Sequence, residues 1–177
     1  MAGVFEHPFE VVTCSLEDAP EEYYIAESVG RHLDGCRIGF DAGGSDRKVS
    51  AVIDGESVYS EEVVWFPKLE SDPKYHYEGI LNAMKTAASH MPRVDAIGVS
   101  SAGVFIGNAP MISSIFYCVP RERWDEVKTC YDRAAAEMGN VPIVVANDGD
   151  VSALAGAIGM GRGSLMGLAM GTSEAVG

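Results

Sequence analysis

Residues 36–64, "CRIGFDAGGSDRKVSAVIDGESVYSEEVV", constrain the fold most. An apolar run meets a glycine turn, and two β-rich stretches joined by Asp54-Gly55 follow. Asp-Gly between β-formers is a hairpin signal, so the segment predicts three consecutive strands. After them the pattern alternates. Residues 73–91, "PKYHYEGILNAMKTAASHM", open on a proline suited to a first helical turn and space Ile80, Met84 and Ala87 at helical intervals. "VDAIGVSSAG" reads as a fourth strand, "RERWDEVKTCYDRAAAEMG" as a helix ended by Gly139, "NVPIVVAND" as a short buried strand, and "DVSALAGAIGM" as a small-residue helix. This order predicts an α/β fold in which one mixed sheet carries helices on both faces.

The flanks read differently. "SLEDAPEEYYIAESVGRHLDG" has a Ser-x-x-Asp start, basic Arg31 and His32 late, and Gly35 as a stop, which predicts a short helix within a lead-in segment over residues 1–35. "VFIGNAPMISSIFYCV" predicts a hairpin or an irregular excursion. The tail "GSLMGLAMGTSEAVG" predicts one further strand and a second glycine turn.

Charge narrows the partners. With 26 acidic and 13 basic residues the net charge is −13, so nucleic acid and anionic membranes meet a repulsive field. A small phosphate ligand is still open to such a chain, because local backbone N–H groups and a divalent cation can hold it. No apolar run approaches the roughly 20 residues that span a bilayer. The N-terminus shows no secretory pattern. The four cysteines form no C-x-x-C pair, which argues against a zinc site and fits a reducing cytoplasm.

Three places suit chemistry. The turn "DAGGSDRK" follows the first strand, where open sheets hold ligands. Asp41 is a candidate for a hydrated Mg²⁺, Gly43 and Gly44 for close approach of backbone amides to anionic oxygens, and Ser45 and Lys48 for donation to them. The same residues suit an ordinary hairpin whose glycines supply positive φ. In "VVANDGDVSALAGA", Asn147, Asp148 and Asp150 sit where a buried strand meets a helix, and a carboxylate there suits general-base work. For Asp150 helix capping is the favoured reading, since Asn or Asp before a helix is the commonest N-cap. The third place is Gly171, Thr172 and Ser173 in "AMGTSEAVG", another strand followed by a turn. Two glycine turns with an acidic strand end between them meet the needs of phosphoryl transfer: positioning, charge stabilisation and one base.

With these motifs in view, "IGFDAGGSDRKVSAVIDG" resembles the first phosphate loop of sugar kinases and hexokinase-like proteins of the actin-like ATPase superfamily, above all the ROK family (repressors, open reading frames, kinases). "VPIVVANDGDVSALAGAIGMGRGS" resembles that family's Asn-Asp strand end and following helix, and "LAMGTS" its second phosphate loop. The resemblance covers residues 36–177. It implies a ribonuclease H-like (actin-like ATPase) five-stranded mixed sheet. It further implies an ATP- and Mg²⁺-dependent kinase of a sugar hydroxyl, with Asp148 as base, Asn147 holding the sugar, Asp41 acting through Mg²⁺ and the glycine turns facing the phosphates. Ser101, Gly103 and Asn108 are implied as further sugar contacts.

Residues 36–160 would form the N-terminal lobe and 161–177 the start of a truncated second lobe, so the chain alone is expected to be inactive. A cytoplasmic protein with a small-molecule sugar substrate is expected, and a homodimer is left open. The sequence departs from the family pattern at Ser45, where threonine is usual, at Ala102, where proline is usual, and at Glu174, where glycines follow the threonine. "GTS" and Gly149-Asp150 resemble the FGGY carbohydrate kinases instead, which makes Asp150 a rival base. Glu174 and Ala102 motivate a second reading, a non-catalytic sensor that binds sugar or nucleotide without transferring phosphate.

Overall fold

The computed structural model describes residues 2–23, 32–171 and 174–177. Helix α1 (Ala2–Phe5) is tied down by Glu6, whose carboxylate meets Lys128 Nζ at 2.6 Å and Arg121 at 3.1 Å. Further on, Ser15 and Asp18 make the mutual hydrogen bonds of a helix start. Only a turn follows, because Pro20 lacks the N–H that a continuing helix needs. The rest of the lead-in helix expected from sequence falls mainly on residues 24–31, outside the described residues.

Strands β1 (Cys36–Ala42), β2 (Asp46–Ile53) and β3 (Glu56–Val64) form the expected antiparallel run. Asp54 and Gly55 take positive φ of 50° and 86°, the two-residue turn that matches strand twist. Helix α2 (Pro73–Ala88) begins at Asp72, whose side chain accepts from Lys74 N, and buries Ile80, Ala83, Met84 and Ala87 along one stripe. Burying side chains the size of Ile80 and Met84 stabilises the fold by about 1.5–3 kcal/mol each.

Strand β4 (Ala96–Ser101) pairs in parallel with β1. The excursion after it contains a hairpin, β5 (Val104–Ile106) and β6 (Ala109–Ile112), followed by a 3₁₀ turn at Ser114–Phe116. The single helix expected next is two: α3 (Trp124–Lys128) and α4 (Cys130–Glu137). They break at Thr129, with φ −101° and ψ 0°, where Oγ1 donates back to the carbonyls of Asp125 and Glu126. Such back-bonding by threonine bends helices.

Strand β7 (Ile143–Asn147) completes a five-stranded sheet of order β3-β2-β1-β4-β7, in which β1, β4 and β7 run parallel. α2 and α4 pack on one face, over a core that includes Ile38, Phe40, Trp65, Phe116 and Tyr131. α5 (Asp148–Met160) ends at Gly161, in the left-handed region at φ 64°, and its Val151 and Leu154 border the opposite face. The expected mixed sheet with helices on both faces is therefore observed. Where one further strand was expected in the tail, there are two short ones, β8 (Leu168–Met170) and β9 (Glu174–Val176), paired against α5. Among the described residues, no helix is long and apolar enough to cross a membrane.

Candidate functional site

Three parallel strands end side by side. Asp41 on β1 is in register with Ser100 on β4, and Ser101 is in register with Asn147 on β7, after which Asp148 opens α5. Ser100 Oγ donates to Asp148 Oδ1 over 2.7 Å. Asp41 lies beside the same hydroxyl, and burial pushes its carboxyl above the ordinary range, helped by the charge of Asp148 and partly opposed by Lys48. Two carboxylates and one hydroxyl thus meet at the carboxyl ends of the parallel strands, where open α/β sheets place ligands.

The turn after Asp41 is built by close approach. Neither Gly43 nor Gly44 takes the positive φ that an ordinary hairpin reading supposes. A Cβ on Gly43 would instead lie 2.5 Å from the Asp46 carbonyl oxygen. Buried Trp65 clamps the turn: its indole Nε1–H donates to the carbonyls of Gly43 and Asp46 over 2.8 and 3.0 Å, and its backbone N–H donates to Ser45 over 3.1 Å. Ser45 Oγ and Lys48 Nζ both turn to Asp46, at 3.3 and 2.5 Å.

Asn147 uses its whole amide. Oδ1 accepts from Gly149 N over 2.9 Å, capping α5, and Nδ2 donates to Gly103 O over 2.8 Å. Asn108 is likewise committed to the fold: its amide reaches Asp132, Ile143 O and Val145 N, fastening the β5–β6 hairpin to β7. Ser101 is buried on the α4 side of the sheet, accepting from Tyr131 Oη over 3.1 Å, and so faces away from Ser100. Exposed Asp150 does not cap α5, since Asn147 does; it lines a cavity of about 590 Å³ with Gly103, Phe105, Asn147 and Glu174. Gly171 lies exposed at the bend between β8 and β9, and Thr172 and Ser173 lie outside the described residues.

A second opening, a groove of about 860 Å³, runs from Asp41, Lys48 and Ser100 along an apolar floor that includes Val52, Val144 and Leu154. Among the described residues, no three His, Cys, Asp or Glu side chains converge on one point. Asp41 and Asp148 therefore offer a hard-oxygen pair rather than a closed cage. That suits Mg²⁺, which takes one or two carboxylates and fills its remaining positions with water and substrate phosphates.

No protein-family model and no curated protein matches the sequence. Solved structures do match. A polyphosphate/ATP-glucomannokinase of Arthrobacter sp. strain KM superposes with a TM-score of 0.59 at 20% identity, over 81% of this chain and 57% of its own. A ROK hexokinase of Thermus thermophilus gives 0.53 at 18%, over 80% and 46%. A ROK-family transcriptional regulator, a homolog of the E. coli MLC protein, gives 0.54 at 17%, over 71% and 31%. The chain has a ROK/hexokinase-like fold. It spans about half the length of the glucomannokinase and of the hexokinase.

Within the ROK/hexokinase-like fold, the residue that sequence reading missed is Ser100. The two-residue period of a strand puts one serine of "VSSAG" on each face, and Ser100 is the one level with Asp41. Trp65 carried no signal of its own, since its role arises only when β3 ends beside the first turn.

Proposed function

We propose that this chain is the N-terminal lobe of an ATP- and Mg²⁺-dependent sugar kinase, with residues 36–160 forming the lobe and 161–177 starting a second. The observation that carries the reading is the Ser100–Asp148 hydrogen bond beside Asp41 at the ends of β1, β4 and β7. The sugar-kinase names of its structural neighbours support it. Asp148 accepts the proton of the attacking sugar hydroxyl, and Ser100 holds that carboxylate in place. Asp41 takes part in holding Mg²⁺, which supplies charge neutralisation at the phosphates. Asn147 and Gly103 form one wall for the sugar in the cavity they share with Asp150. Free thiols at Cys14 and Cys118 and the use of ATP fit a cytoplasmic protein.

A second reading, a sugar- or nucleotide-binding regulator, is favoured by Glu174. Glu174 lines the same cavity as Asp150, and added negative charge there disfavours a triphosphate. One experiment separates the two. The full-length gene product is screened with hexoses and amino sugars for ATP-dependent phosphorylation, and ADP formation is compared with sugar binding. Binding without ADP overturns the kinase.

A further inference from the structure

The sequence nominated Lys48 as the cation of the first glycine turn. In the structure Lys48 is already neutralised, with Nζ 2.5 Å from Asp46 and 4.0 Å from Glu62. A different lysine occupies the turn. Lys68 belongs to a 3₁₀ turn, Pro67–Leu69, between β3 and α2. A Cβ built on Gly44 would lie 2.6 Å from Lys68 Cε and 3.0 Å from its Nζ, so the tip of the lysine rests on the bare α-carbon of that glycine.

The backbone that delivers Lys68 is held at each step. Trp65 makes three hydrogen bonds to the turn itself. Phe66 N donates to Tyr75 Oη over 3.1 Å, Pro67 O is hydrogen-bonded to buried His76 Nε2 at 2.9 Å, and Lys68 O accepts from Cys118 Sγ over 3.0 Å. The ammonium has no carboxylate of its own: among the described residues Lys68 forms no ion pair, in a chain of net charge −13. An unpaired cation delivered to a glycine turn by a held backbone is half of a charge-assisted phosphate contact.

We propose that Lys68, not Lys48, is the cation that binds the phosphate oxygens of the phosphoryl donor at the Gly43–Gly44 turn. The proposal rests on the kinase reading for the identity of that donor, but its test reads binding rather than transfer. In the full-length protein, calorimetry measures Kd for Mg²⁺·AMP-PNP and for inorganic tripolyphosphate in wild type, Lys68→Met, Lys68→Gln, Lys68→Arg and Lys48→Met, with thermal melts to check folding.

Loss of a charged hydrogen bond to phosphate raises Kd by about tenfold or more in Lys68→Met and Lys68→Gln. Lys68→Arg keeps affinity within about threefold, as does Lys48→Met, because one retains the charge and the other removes a charge already neutralised. Lys68→Met and Lys68→Gln should also flatten the dependence of Kd on salt. Wild-type affinity in a folded Lys68→Met or Lys68→Gln overturns the proposal, and so does a larger loss in Lys48→Met, or a wild type that binds neither probe. A wild type that binds AMP-PNP yet phosphorylates no sugar defeats the kinase reading, and the lysine comparison still decides this one.

Discussion

Ser100 Oγ–H donates a hydrogen bond to Oδ1 of Asp148 over 2.7 Å while standing in register with Asp41, so one side chain joins the ends of β1 and β4 to the start of α5. The contact holds Asp148 toward the strand ends, whereas Asp150, two residues on, is exposed in the cavity with Glu174. Helix geometry explains the divergence, since residues two apart on a helix point to different sides.

The two carboxylates should therefore differ in kinetics. In the full-length protein, Asp148→Asn is expected to lower kcat by about 10²–10⁴, the usual contribution of a general base, with sugar affinity retained. Asp150→Asn should cost about tenfold or less on the same scale. Steady-state rates with the sugar identified by screening check this, and the reverse order would move the base to Asp150.

Ser100 is a positioning residue on this view. Ser100→Ala removes the bond that orients Asp148 and should lower kcat by about tenfold, the worth of one charge-assisted hydrogen bond, with little change in KM for the sugar. Ser100→Thr keeps a hydroxyl and should recover much of the loss. A merely structural serine would instead show equal effects on kcat and KM, or a fall in Tm that the threonine also shows.

Asp41 predicts a stability profile with a definite sign. Burial and the charge of Asp148 raise its carboxyl above the ordinary value of 3.8 in the folded chain, so the folded state binds the proton more tightly than the unfolded state. Stability from this group is then present below pH 3.8 and falls as pH rises through the folded value, beyond which the full cost of ionisation remains. Asp41→Asn removes that cost. The variant should melt higher than wild type at pH 7 in chelator, with the gap closing as pH falls below 3.8. Added Mg²⁺ should raise the Tm of wild type and leave the variant unmoved, because a ligand stabilises only a state that binds it. Thermal melts over a pH series with and without Mg²⁺ read both effects, and an unstabilised Asn variant would show that Asp41 bears no such strain.

Much of this arrangement is legible in the sequence because it depends on local rules. The Asp54-Gly55 turn and the α2 stripe each follow from a few adjacent residues, and with them comes the order of strands that brings Asp41 near Asp148, whereas the α5 cap falls to Asn147 rather than to Asp150. What the sequence hides depends on registers and distant packing. The family resemblance points to Ser101 where Ser100 faces Asp41, and the pattern "VSSAG" does not say which serine falls on which face until β4 is aligned with β1. The glycines of the first turn suggest positive φ, yet neither takes it: Gly43 is required by the approach of the Asp46 carbonyl, and Gly44 lies under the tip of Lys68, 24 positions away. The break at Thr129 is masked by good helix formers on both sides.

Those two glycines differ in what a methyl group would meet. At Gly43 the new Cβ would sit 2.5 Å from the carbonyl oxygen of Asp46, which already accepts from the Trp65 indole over 3.0 Å. Backbone cannot swing aside, so Gly43→Ala must open the turn and weaken the Trp65 clamp, at about 1–3 kcal/mol. At Gly44 the nearest atoms are the tip of Lys68, a flexible side chain that can rotate away. Gly44→Ala should cost under about 1 kcal/mol in the same measurement. Urea unfolding of both variants, followed by Trp fluorescence, gives the comparison. A Gly44→Ala loss as large as that of Gly43→Ala would mean that Lys68 is locked over the glycine rather than resting on it.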